Sequence, residues 1–340
     1  MTAAAAALEQ AAQAGIHCLP IPTPFAVGRV NTYLIEDRPL TLVDSGPNSG
    51  KALDALERAL HARGHAIEEL GLILVTHQHM DHTGLVSILA RRSGADVASI
   101  DRLAPFLESY GSANDADDAF AERLMLRHGI PADVVRALRS VSQAFRAWGS
   151  SAKVNRPLAD GEVITLRDRR LHVFHRPGHS PSDTVFWDED RRILIAADHL
   201  IGHISSNPLV TRPLEGDPPP GDRPRALMTY LNSLRKTRQL PAQLVLSGHG
   251  DPITDHVTLI EERFAMHKRR AEKIYSLLLG RSHTAYEIAQ ALWGNVAVTQ
   301  AYLTLSEVLG HVDLLVASRQ VREEDEHGVV RFVAQARPGA

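Results

Sequence analysis

The sequence predicts an α+β fold, and three observations carry that expectation. Short runs of β-branched and aliphatic residues recur between positions 30 and 246, each bounded by glycine, proline or acidic turns, as buried strands require. The stretch 102–148 interrupts these strands with helical periodicity. Beyond Asp255 the pattern is helical three times over and closes on a hairpin. Of the 340 residues, 44% are hydrophobic and 23% charged, which suffices for a sizeable core.

Taken in order, residues 1–15 are alanine-rich, contain Glu9 and lack a basic cluster, so they read as a surface helix rather than a secretory leader. Strand patterns follow at 31–36 and 40–43, separated by Asp37-Arg38-Pro39, and the second ends in Asp44-Ser45-Gly46-Pro47. A helix at 51–63 precedes the apolar run 72–75, which leads directly into Thr76-His77-Gln78-His79-Met80-Asp81-His82-Thr83-Gly84. A helix at 85–92 and a strand at 96–100 complete a strand-helix-strand unit. The helical insertion 102–148 breaks once, at Gly129-Ile130-Pro131. Strands resume at 163–166, 171–174, 184–187 and 192–196, and the proline- and glycine-rich segment 211–224 must be a loop. A helix at 226–237 leads to the strand 244–246 and then to Ser247-Gly248-His249-Gly250-Asp251. Helices are expected at 258–279, from the capping box Thr284/Glu287 through Trp293, and at 299–317. A hairpin spans 321–333 with its turn at His327-Gly328. Two units follow from this reading: 16–255, carrying the insertion, and 256–335.

Charge and composition exclude several function classes. A formal net charge of −3 gives no global attraction to nucleic acid or an anionic membrane. No run of about 18 apolar residues occurs, so no membrane span is expected. Cys18 is the single cysteine, which rules out an intrachain disulfide and a thiolate-rich metal site and fits a reducing, cytoplasmic location. The unusual count is 18 histidines.

Several of those histidines stand at ligand spacing. Side chains two apart on an extended segment face the same way, so His77 and His79 can converge on one metal ion. Asp81 and His82 fall where the chain turns into the next helix, which can aim them at a second position nearby. Neutral imidazole and carboxylate are the donors that zinc and similar ions take in sites with an open coordination position. Three later strands end the same way, in His179, Asp198 and His249. Each alone is a weak signal; together the seven side chains could hold two ions.

The order His-x-His-x-Asp-His followed by His, Asp and His in separate strand-end turns resembles the metallo-β-lactamase superfamily over roughly 16–255. The resemblance implies an αββα sandwich, two mixed sheets packed together with helices outside. It further implies that His77, His79 and His179 hold one ion and Asp81, His82 and His249 the other. Asp198 would bridge the two, and Asp81 and Asp198 would orient the attacking solvent. Asp44 matches the family's first motif, an aspartate ending an early strand and supporting the site by hydrogen bonds. The implied cofactors are two divalent ions, zinc first, with manganese or iron served by the same donors.

The diiron branch of that superfamily usually has a glutamate where His79 stands, which disfavours a redox role. True β-lactamases of the superfamily usually lack an aspartate at the Asp198 position, whereas thioesterase, lactonase and ribonuclease branches have one. The expected activity is therefore hydrolysis of a small-molecule thioester or ester, resembling hydroxyacylglutathione hydrolases and lactonases. Phosphodiester cleavage is the alternative, and a non-enzymatic binding module ranks last. The tail after Asp255 resembles a winged helix appended to one branch of these hydrolases. Its ten lysines and arginines are balanced by ten acids, and Glu323-Glu324-Asp325-Glu326 opens the hairpin, so a structural or dimerising role is expected over nucleic-acid binding. His199, His203 and Asn207, which follow Asp198, and Tyr110 of the insertion are candidate pocket residues. Phe106, Tyr110, Met125, Phe145 and Trp148 are expected mainly to pack the insertion onto the core.

Overall fold

The computed structural model describes residues 2–219 and 221–335. Strands β1 (Ile16–Ile21), β2 (Val30–Ile35), β3 (Leu40–Val43), β4 (Leu70–Leu74), β5 (Asp96–Ile100) and β6 (Arg156–Leu158) pair in that order into one mixed sheet. Strands β7 (Val163–Thr165), β8 (Arg170–His175), β9 (Thr184–Asp188), β10 (Ile193–Ala197) and β11 (Leu244–Ser247) form a second sheet in the order β11-β10-β9-β8-β7. The β3-β4, β4-β5, β5-β6 and β10-β11 pairs are parallel, the connections that bring several strand ends to one edge.

Alternation along the strands builds the layers. Leu72 and Leu74 of β4 face Ile193 and Ile195 of β10 in the core between the sheets, joined by Tyr33, Phe186 and Leu246. The opposite face of β4 turns Ile73 to the outer helices α2 (Gly50–His61) and α4 (Val86–Ser93) through Leu56, Leu60 and Leu89. The opposite face of β10 turns Leu194 and Ala196 to helix α8 (Ala226–Thr237) through Tyr230 and Leu234. Two sheets face to face with helices outside thus realise the αββα sandwich.

Helix α1 (Ala3–Gln13) opens the chain, capped by Thr2, and α3 (Met80–Thr83) is a single turn beyond β4. The insertion comprises α5 (Ala104–Glu108), α6 (Tyr110–Arg127) and α7 (Ala132–Phe145), broken at Gly129 to Pro131 as the sequence indicates. The C-terminal elements are α9 (His256–Leu278), α10 (Ala285–Trp293), α11 (Val296–Thr299) and α12 (Ala301–Ala317). They pack with a small sheet of β12 (His283–Thr284), β13 (Val321–Glu326) and β14 (Val329–Ala334). The Thr284/Glu287 capping box forms, and the hairpin turns at His327 and Gly328, both at positive φ. The helix expected at 299–317 is interrupted at Gln300, which stands outside helical geometry. Phe120, Leu124 and Met125 of α6 share one apolar cluster with Ile274, Leu309 and Phe332 of the C-terminal elements. Among the described residues no helix is long and apolar enough to cross a membrane.

Candidate metal centre

Four strand ends meet at one edge of the sandwich. β4 delivers Thr76 to His82, β8 delivers the turn ending in His179, β10 delivers Asp198, and β11 delivers His249. The edge is tied across the sheets by β2: Asn31 Nδ2 donates to Ser247 O (3.0 Å) and Gly250 O (2.8 Å), and Tyr33 Oη donates to Ser247 O (2.6 Å). Two backbone specialities aim the carboxylates. Asp44, at φ 59°, ends β3 in the left-handed region that aspartate tolerates. The β10-β11 register shifts between Ile195 and Ala197, and Ala197 takes φ 43°, which swings Asp198 out of the strand. Gly248 leaves room for it, since a Cβ there would stand 2.1 Å from Asp198 Oδ1.

The structure brings the seven side chains together in two groups. Donor atoms of His77, His79, His179 and Asp198 lie within 4.8 Å of one another, as do those of Asp81, His82 and His249. Asp198 stands between the groups, with Oδ2 3.5 Å from both His179 Nε2 and His249 Nε2, and Oδ1 3.5 Å from His82 Nε2. Asp81 Oδ2 is 3.3 Å from His249 Nε2.

Hydrogen bonds fix which imidazole nitrogens face inward. His82 Nδ1 donates to Asp44 Oδ2 (2.7 Å), His179 Nδ1 to Ser206 O (2.9 Å) and His249 Nδ1 to Arg29 O (2.8 Å). Thr76 Oγ1 donates to Asp44 Oδ2 (2.8 Å), which leaves its oxygen to accept from His77 Nδ1 (3.0 Å). Asp44 also accepts from Thr76 N (2.9 Å), so one carboxylate aligns two of the rings. With every outer nitrogen donating, the Nε2 atoms of His77, His82, His179 and His249 present lone pairs to the centre. His77 Nε2 and His179 Nε2 stand only 3.1 and 3.0 Å from His79 Nδ1. His82 Nε2 and Asp198 Oδ1 are buried without a hydrogen-bond partner. Lone pairs crowded at that spacing, with orphaned polar atoms beside them, fit divalent cations of the zinc type.

Electrostatics agree. Burial and the neighbouring imidazoles hold His77 well below the usual histidine range and His79 down at about 3, so both are neutral. Burial opposes charging of His82 and His249, yet the surrounding carboxylates win: His82 lies well above its ordinary value and His249 at about 9. Against the cost of burial, Asp81 and Asp198 are held low, chiefly by His82. The carboxylates of the second group therefore favour positive charge there, either a proton on Nε2 or a divalent cation that displaces it and takes the lone pair.

A cavity of about 320 Å³ opens onto this centre. Its apolar wall is Phe25, Val27, Met80, Phe145, Ile201 and Ile204, with Asn207 and two serines at one side. Of the residues considered for the pocket, Asn207 lines this cavity and Tyr110, His199 and His203 do not. Tyr110 packs on Phe106 and donates to Arg146 O (3.2 Å), and His199 is buried with Nε2 against Thr237 Oγ1 (2.8 Å). His203 lies exposed over Gly250. Within the insertion, Phe145 reaches the wall, whereas Phe106 and Met125 pack into apolar clusters. No sequence signal marks Phe25, Val27, Ile201 or Ile204, which sit in loops without periodicity.

The chain belongs to the metallo-beta-lactamase superfamily, whose family model matches residues 26–249. It is 31% identical over 317 residues to "Probable metallo-hydrolase YqjP" of Bacillus subtilis (strain 168), covering 93% of this chain and 97% of the relative. It is 33% identical over 140 residues to "Acyl-coenzyme A thioesterase MBLAC2" of Bos taurus, covering 40% and 44% of the two chains. The crystal structure of a metallo-beta-lactamase family protein from Thermus thermophilus superposes with a TM-score of 0.77 at 27% identity, covering 94% of this chain and 99% of that one. Family and relatives make this chain a metal-dependent hydrolase.

Proposed function

We propose that the chain hydrolyses a carboxylic thioester or ester whose acyl group is apolar, using two divalent cations, zinc first. His77, His79 and His179 would hold one ion, Asp81, His82 and His249 the other, with Asp198 shared. Such a pair supplies Lewis acidity and makes solvent nucleophilic near neutral pH. The chain's own residues do the rest. Asp44 orients His82 and, through Thr76, His77. Asp81 and Asp198 accept from solvent and fix its direction. The apolar wall displaces water from the acyl group, a gain of roughly 25 cal/mol per Å² buried.

The observation that carries the substrate class is that wall. Six apolar side chains face the centre, and among the described residues no lysine or arginine lines the cavity. Beyond the two ions themselves, a phosphodiester backbone would meet no side-chain cation there. The C-terminal hairpin, read as the wing of a winged helix, is equally unsuited to phosphates: Glu323 is engaged by Arg223 and Asp325 by Arg127. The thioesterase among the relatives supports the same class. The test is a hydrolysis screen of the metal-loaded protein on acyl thioesters, lactones, bis-p-nitrophenyl phosphate and single-stranded RNA. Turnover of acyl thioesters or lactones that rises with acyl length is expected; cleavage confined to the phosphate substrates would overturn the assignment.

A further inference from the structure

A third cluster of metal-ligating side chains lies away from the sandwich edge, in the C-terminal elements. His267 of α9 and Glu307 and His311 of α12 bring donor atoms within 4.8 Å of one another, all buried. Glu307 and His311 stand one helical turn apart and so share a face of α12.

We propose that His267, Glu307 and His311 form a structural site for one divalent cation of the zinc type, which staples α9 to α12. One of the rings repeats the geometry of the sandwich edge, where the histidines donate one ring nitrogen outward, to a carbonyl or carboxylate, and turn the other inward. His311 does the same, its Nδ1 donating to the Glu307 carbonyl at 2.6 Å. That bond fixes Nε2 as the nitrogen with the free lone pair. His267 Nδ1 stands 3.0 Å from His311 Nε2, the spacing seen between the imidazoles around His79. Two imidazoles and a carboxylate are donors that zinc accepts, a solvent molecule completing the usual four. His267 is also among the residues lining a cavity of about 600 Å³. Its Nε2 is buried and has no hydrogen-bond partner among the described residues. Arg270 contacts the Glu307 carboxylate and holds it on the α9 side of the cluster.

The competing arrangement is a simple hydrogen bond from His267 Nδ1 to His311 Nε2, and metal counting separates the two. In the full chain carrying His77→Ala, His79→Ala, His179→Ala, Asp198→Ala and His249→Ala, only Asp81 and His82 remain at the sandwich edge, too few donors to hold a cation tightly. Titration of this variant with Zn²⁺ should still show one equivalent bound, and Co²⁺ in its place should give a visible absorption band. Adding His311→Gln should abolish that equivalent. A second measurement needs no change in the cluster: in a ¹H–¹⁵N spectrum of the imidazole rings, the His267 and His311 nitrogens should shift on addition of Zn²⁺. No uptake by the first variant, uptake that survives His311→Gln, or ring nitrogens that do not move would each overturn the site. None of these readouts depends on the hydrolytic reaction, so the proposed substrate class stands or falls separately.

Discussion

At the scale of single residues, the centre depends on where Asp198 can sit. Its carboxylate touches both groups of imidazoles, so Asp198→Ala removes the one donor they share. Loss of even an outer partner of a metal ligand typically costs ten- to a hundredfold, so Asp198→Ala should lower turnover by at least about a hundredfold. Metal content, read by elemental analysis, should fall in parallel; full metal with full activity would contradict the paired-ion reading. Gly248→Ala tests the same point without removing a donor. The new Cβ would lie 2.1 Å from Asp198 Oδ1 and 3.0 Å from His82 Cε1, so the carboxylate must move. Overpacking of this kind costs about 1–3 kcal/mol. The expected outcome is a lower melting temperature and weaker metal retention, and an unchanged metal affinity would show that Gly248 does not confine Asp198.

At the scale of elements, the cavity wall is held by a helix from the far end of the chain. Arg263 of α9 donates to the carbonyls of Ile201 (3.1 Å), Gly202 (3.0 Å) and Ile204 (2.8 Å), pinning the loop that carries two wall residues and runs on to Asn207. Hydrogen bonds from a charged group are worth about 1.5–3 kcal/mol, so Arg263→Gln should loosen the loop and raise KM by about tenfold. Metal content and kcat should change little, because the bonds of Arg263 go to loop carbonyls and not to the donor side chains. A fall in kcat at constant KM would assign it another role. This dependence is not legible in the sequence, and the reason is physical. The strands 40–43, 72–75 and 244–246 announce themselves by burial on both faces, and the polar residues at their ends follow from chain order. The first strand escapes a sequence reading because His17, Cys18 and Pro20 break its alternation. The wall of the cavity and the His267–His311 pair are contacts between positions far apart in sequence, set by packing rather than by any local period. The break at Gln300 is hidden for the opposite reason: helical periodicity continues on both sides of it.

At the scale of the whole molecule, the insertion and the C-terminal elements act as one apolar body. Phe120, Leu124 and Met125 share a cluster with α9, α12 and β14, and the buried Asp313 of α12 pairs with Arg223 in the loop before α8. Deleting everything after Asp255 would bare that cluster and remove both acidic partners of Arg223, Asp313 and Glu323. The truncated chain should aggregate and bind hydrophobic dye; a monomeric, fully active product on size exclusion would refute the shared core. Acid probes the same junction within the intact chain. His128 is buried between α6 and α7 and stacks on Phe332 of β14 (5.9 Å between ring centres). Burial above all, and then Arg223 and Arg127, push its pKa from 6.5 down to about 3. An unfolded imidazole takes up its proton near pH 6.5, whereas the native ring stays neutral until about pH 3. Between those values the unfolded state binds the extra proton, so stability falls as the pH falls from about 6.5 toward 3. The melting temperature of the wild type should therefore drop more steeply between about pH 6 and pH 4 than that of His128→Leu, which has no proton to gain and keeps an apolar contact with Phe332. Equal slopes for the two proteins would mean that His128 is not held neutral at this junction.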